Sequence, residues 1–174
     1  IIKKQLYFII IFLFFIGINL IKADTYNEII INGNQRLSVE TIIMFSGLKI
    51  NTDISRNELN TSVKNLYKTD YFKNVEIIAK NNVIKIKVVE NPIIQSVKIT
   101  GIKNKDILKQ LYIFTKKSEK YPFLISQVRD QKNLLLNIVR SNGFYFSEIE
   151  TKIIDNKNNS VDILYNFNLG NRAI

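Results

Sequence analysis

The chain has 174 residues, 46% of them apolar, with 25 Lys and Arg against 15 Asp and Glu and a net charge of +10. That length holds one medium domain or two small ones, and two Pro and six Gly argue against a disordered or fibrous chain. There is no Cys and no His, which excludes disulfides, thiolate metal sites, Cys nucleophiles, Ser-His-Asp triads and His-containing zinc sites.

Lys3 and Lys4 precede an apolar run from Leu6 to Leu20, and Ala23 precedes Asp24, where the composition of a soluble protein begins. A basic start, a short apolar core and a small residue at the exit read as a secretory signal peptide over residues 1–23. The run is shorter than the roughly 20 residues that a bilayer span needs. An uncleaved membrane anchor is the alternative, because Ile21 is bulky for a cleavage site. Without Lys3, Lys4 and Lys22 the remainder keeps 22 basic residues against 15 acidic ones, a net +7. These bases are scattered, and no basic run is interleaved with stacking aromatics, so nucleic acid is not expected as a partner.

Glu28 to Asn32 is a short β-rich run that stops at the turn pair Gly33-Asn34. Ser38 is placed to cap a helix carrying Val39, Ile42 and Ile43, which Gly47 ends. Ser55 and Glu58 have capping-box spacing, and Leu59, Val63, Leu66 and Tyr67 follow as an apolar stripe. Thr69-Asp70 breaks that helix. Val75, Ile77 and Ala79 alternate with polar residues up to Asn81-Asn82, a turn pair that tolerates positive φ. Ile84, Ile86 and Val88 alternate with Lys85 and Lys87 on the return strand. Pro92 marks a boundary, since it lacks a ladder N–H.

The order then repeats. Ile93, Val97 and Ile99 share a strand face that ends at Gly101, 68 residues after Gly33. Ile107, Leu108 and Leu111 predict a short helix. Pro122 opens a second helical region, with Ser126 as its expected cap and Val128, Leu135, Ile138 and Val139 as its stripe. Asn142-Gly143 ends it. Tyr145, Ile149, Thr151 and Ile153 are expected on one strand face, Asp155 to Asn159 in a polar turn, and Val161, Ile163, Tyr165 and Phe167 on the last strand. The fold class expected is therefore α+β: two tandem β-α-α-β-β units, each a three-stranded mixed sheet covered by two helices. The first unit spans residues 24–91 and the second 92–169, with residues 170–174 starting a linker to a missing third unit.

Four stretches carry a family resemblance: Ile29-x-Ile31-x-Gly33-Asn34-x-Arg36, Leu66 to Val75, Val89-Glu90-Asn91-Pro92-Ile93, and Val97-x-Ile99-x-Gly101. They resemble the POTRA (polypeptide-transport-associated) domains at the N-terminal end of BamA-type outer-membrane protein assembly factors. There are departures: Asp70 stands where Gly is commoner, Ile102 where Asn is commoner, and Leu169 where Glu is frequent. The resemblance implies a fragment that works at the periplasmic face of the outer membrane. Its implied partners are unfolded outer-membrane protein clients, accessory assembly lipoproteins, and further POTRA units with a membrane β-barrel. It implies neither cofactor nor catalytic role. The POTRA region of a translocation-assembly or two-partner secretion transporter is the alternative.

In the family the second strand of each sheet is the edge that receives peptides. Here that places candidate residues at Phe72, Lys73, Asn74, Val75, Glu76, Ile77 and Ile78, and at Tyr145, Phe146, Ser147, Glu148, Ile149 and Glu150. Tyr71 and Phe72 read either as a client-binding aromatic patch or as core plugs, and the core is the commoner use. Glu90 reads as a solvated linker charge. Glu148 and Glu150 have the look of a hydrolase carboxylate pair, but an outward strand face accounts for them more simply.

Overall fold

Asp24–Tyr26 (β1) and Glu28–Asn32 (β2) open the first unit, followed by helix α1 (Val39–Ser46), the short strand β3 (Thr52–Ile54), helix α2 (Arg56–Lys68), and strands β4 (Phe72–Lys80) and β5 (Val83–Glu90). The second unit runs β6 (Ile93–Thr100), α3 (Lys105–Thr115), a 3-10 turn (Lys116–Ser118), α4 (Ile125–Ser141), β7 (Glu148–Asn156) and β8 (Ser160–Asn168). This computed structural model describes residues 24–172; the predicted signal peptide, residues 1–23, and the last two residues of the expected linker lie outside the described residues.

The local signals act as the sequence suggests. Ser38 Oγ accepts the N–H of Thr41 at 3.2 Å, and Gly47 closes α1 at φ +73°. The Ser55–Glu58 box is reciprocal: Ser55 Oγ accepts the Glu58 N–H at 3.3 Å, and Glu58 Oε2 accepts the Ser55 N–H at 2.7 Å. Asn81 and Asn82 both sit at positive φ, +52° and +60°, as a tight hairpin turn needs.

Each sheet has three strands, in the order β2-β5-β4 and β6-β8-β7. The middle strand, β5 or β8, pairs in parallel with β2 or β6 and antiparallel with β4 or β7. A parallel pair cannot be joined by a hairpin, so both helices of each unit lie in the crossover between them. The β-α-α-β-β reading holds for both units. Leu66, Ile42, Ile84 and Ile86 are fully buried in the first core, and Leu111, Leu135, Val139 and Tyr165 in the second; the two clusters share no residue.

Gly33 and Gly101 occupy matching places. Both have positive φ, and a Cβ built on either would collide with a backbone carbonyl of the central strand, Val88 in the first unit and Phe167 in the second. The 68-residue repeat therefore has a steric cause: the chain passes so close to the middle strand that only hydrogen fits.

Several expectations need correction. A small antiparallel pair, β1 with β3, had no signal in the sequence, since three residues are too few to show alternation. Its Tyr26 nevertheless belongs to the first core. Ser126 does not cap α4; the helix begins at Ile125, with Leu124 at the cap and no side-chain bond. A backbone pairing holds the entry instead, Phe123 N–H to Pro92 O at 2.7 Å. Tyr67 is 41% exposed and not a core residue. Glu90 is buried, not a solvated linker charge, because backbone N–H groups of the Gly33 loop turn onto its carboxylate.

Tyr165, at the centre of β8, is fully buried, and burial pushes its hydroxyl far above the usual tyrosine range. It donates to Gln131 Oε1 at 2.8 Å. Tyr165→Phe keeps the ring but leaves that half-buried oxygen without its donor. The expected loss is about 1–2 kcal/mol in urea unfolding, with no change in slope.

Candidate peptide-binding edges

A three-stranded sheet has two outer strands, and each exposes a row of backbone groups unless something covers it. In the second sheet, the first half of β6 is covered. Ile94 donates its N–H to Tyr121 O at 2.9 Å and accepts from Lys120 N–H at 2.7 Å. Beyond the bulge at Ile94/Ser96, the Val97 N–H goes to Glu119 Oε1 at 2.9 Å. Burial pushes the Glu119 pKa upward, but bonds from Lys116 and the Val97 N–H outweigh it, so the carboxyl stays below the usual range and remains an acceptor.

The other outer strand, β7, is open. It pairs with β8 without interruption from Glu148 to Asn156, and among the described residues no backbone group bonds to its outer side. Ile149 faces the core; Glu148 and Glu150 point to solvent, with Glu150 3.5 Å from Lys152. The two carboxylates are an outward strand face, as expected. Ile153 and Ile154 are both exposed toward the far end, which leaves apolar side chains on either face of the open edge.

Tyr145, Phe146 and Ser147 are not in the strand. They form a turn in which the Ser147 N–H bonds to Phe144 O at 3.2 Å, and β7 starts at Glu148. Alternation had carried the strand reading back through Tyr145, but the turn that follows Gly143 breaks the register. Tyr145 and Phe146 are 61% and 82% exposed, whereas Ser147 is buried, its hydroxyl without a partner.

The first sheet offers β4, a less regular edge. A bulge falls between Phe72 and Asn74, and the N–H of Val75 is capped by the Tyr67 hydroxyl at 3.0 Å. That hydroxyl in turn donates to Asn74 Oδ1 at 3.3 Å. Phe72 and Val75 are buried in the core, with Ile77 packed against it; Lys73, Asn74, Glu76 and Ile78 are exposed, and Glu76 lies 3.5 Å from Lys87. Tyr71 stacks on Phe45 with ring centroids 6.0 Å apart. Tyr71 and Phe72 thus serve packing. The structure therefore separates the two candidate edges, since the near end of β4 is already occupied, whereas among the described residues β7 meets no backbone partner along its outer side. Which N–H the chain's own tyrosine takes was not visible in the sequence, because it depends on the bulge.

No family model matches the chain. In sequence it is similar to the outer membrane protein assembly factor BamA of Neorickettsia risticii (strain Illinois), at 25% identity over 143 residues, covering 81% of this chain and 19% of that protein. The chain thus spans about a fifth of the length of the curated relative it matches. In fold it is similar to the N-terminal domain of Omp85 from the cyanobacterium Thermosynechococcus elongatus, with a TM-score of 0.55 at 11% identity, covering 83% of this chain and 62% of the other. It also aligns with POTRA1-3 of the periplasmic domain of Omp85 from Anabaena, with a TM-score of 0.47 at 12% identity, covering 81% and 60%.

Proposed function

We propose that this chain, two POTRA units similar in sequence to BamA, is a periplasmic docking module of an outer-membrane β-barrel assembly machine. In this reading it receives unfolded outer-membrane proteins and contacts accessory lipoproteins by strand-edge pairing at the periplasmic face of the outer membrane. The observation that carries the reading is β7, a nine-residue strand with an unbroken register on one side and no backbone partner among the described residues on the other. Backbone groups are the same in every client, so pairing at such an edge accepts many sequences, and the side chains on either side add modest preference. Lys152 and the flanking acids Glu150 and Asp155 keep the same edge from pairing with its own copies. The β4 edge is the secondary receiver in this reading, through its far half beyond Val75.

Titration of the isotopically labelled protein with a soluble extended peptide of alternating tyrosine and threonine tests this. Amide shifts are expected along Glu148 to Asn156, with smaller ones at Ile77 to Lys80, and weak affinity. Shifts confined to α3 and α4, or none at a large excess of peptide, would rule out edge pairing.

A further inference from the structure

We propose that Arg36 and Glu90 form a clasp that fixes the angle between the two sheets, so that the two units move as one body. The Glu90 side chain is 1% exposed at the end of β5. Its Oε1 accepts the N–H groups of Gln35 at 2.7 Å, Arg36 at 3.1 Å and Leu37 at 3.1 Å, and its Oε2 lies 3.4 Å from Arg36 Nη2. The guanidinium then reaches out of its own unit. Nη2 donates to the carbonyl of Asn91 in the link at 2.6 Å, and Nη1 donates to the carbonyl of Asn159 in the β7–β8 turn. That same carbonyl accepts the Ile93 N–H at 3.2 Å, and the Asn159 amide donates to Gln35 Oε1 at 3.1 Å and to Glu90 O at 3.4 Å. Loop, link and turn are tied at one point.

The second unit serves as an internal control. Gly101 lies under the Phe167 carbonyl as Gly33 lies under that of Val88. Two residues beyond those carbonyls stand Leu169 and Glu90. A unit of this kind therefore folds with no carboxylate at that place. What Glu90 adds is a rigid seat for Arg36, whose other bonds all go to the link and to the second unit. A guanidinium donates through a planar fork in fixed directions, which suits the fixing of an angle. Buried ion pairs are weak evidence of stability and better attested as devices that select one arrangement. The clasp holds the open edge β7 in a constant relation to the first sheet.

The chain lacks Cys, so Lys64→Cys on α2 and Asn133→Cys on α4, both exposed, give unique sites for spin labels. The doubly labelled protein is expected to show one narrow interspin distance. Arg36→Met, which keeps the stem, is expected to broaden the distribution at least twofold while amide spectra show both units folded. Arg36→Lys keeps the charge without the fork and is expected to broaden it too. A native-width distribution in either folded variant, or a broad one in the unaltered protein, would overturn the clasp.

Discussion

Gly101→Ala and Gly33→Ala are each expected to unfold the unit that carries them. An added Cβ would strike the Phe167 or Val88 carbonyl, and both glycines sit at φ above +80°. A backbone oxygen of a central strand cannot swing aside as a flexible side chain does. Strain at such a φ costs about 1–3 kcal/mol and overpacking about 1–3 more. Together these come to about 2–6 kcal/mol, comparable to the whole stability of a small domain. Gly47→Ala is the comparison variant. Its φ is also positive, at +73°, but the new Cβ would meet only the Asn65 side chain at 3.6 Å. Its expected cost is about 1 kcal/mol. Urea unfolding followed by circular dichroism measures all three. If Gly101→Ala cost no more than Gly47→Ala, the close approach of loop and strand would not be the reason for the repeat.

Those glycines were legible as punctuation, 68 residues apart, because a steric demand of the backbone leaves a fixed residue type behind. The Ser55–Glu58 box, the Asn81-Asn82 turn and the alternation of Ile84, Ile86 and Val88 were legible for the same reason: each is a local rule with a local signature. What the sequence hid depends on partners far along the chain. Glu90 looks like any linker acid until the Gly33 loop, more than fifty residues earlier, folds its N–H groups onto it. The edge of β6 looks as open as that of β7 until the segment after α3 returns to lie along it. Tyr145 is the exception, hidden by a local cause: it continues the alternation of β7 in register, and the turn after Gly143, closed by the Ser147 N–H on Phe144 O, takes it out of the strand. So the fold class was within reach of pattern alone, while the choice of the available edge required three dimensions.

Leu66→Ala and Leu135→Ala are expected to cost about 2–5 kcal/mol each, in separate places. Both leucines are fully buried, Leu66 on α2 in the first core and Leu135 on α4 in the second. Truncation removes the transfer energy of the lost carbons and leaves a cavity, and the cost depends on how far the neighbours collapse into it. Because the two clusters share no residue, the double variant is expected to lose the sum of the single losses within about 0.5 kcal/mol. The functional consequences differ. Leu135 packs in the same cluster as Ile149, the inward residue of β7, so its truncation loosens the backing of the free edge. Hydrogen exchange along Glu148 to Asn156 is expected to quicken in Leu135→Ala and to stay near native in Leu66→Ala. Equal quickening in both would mean that the two cores are one cooperative unit, and the edge would then be supported by the first sheet as much as by the helices of its own unit.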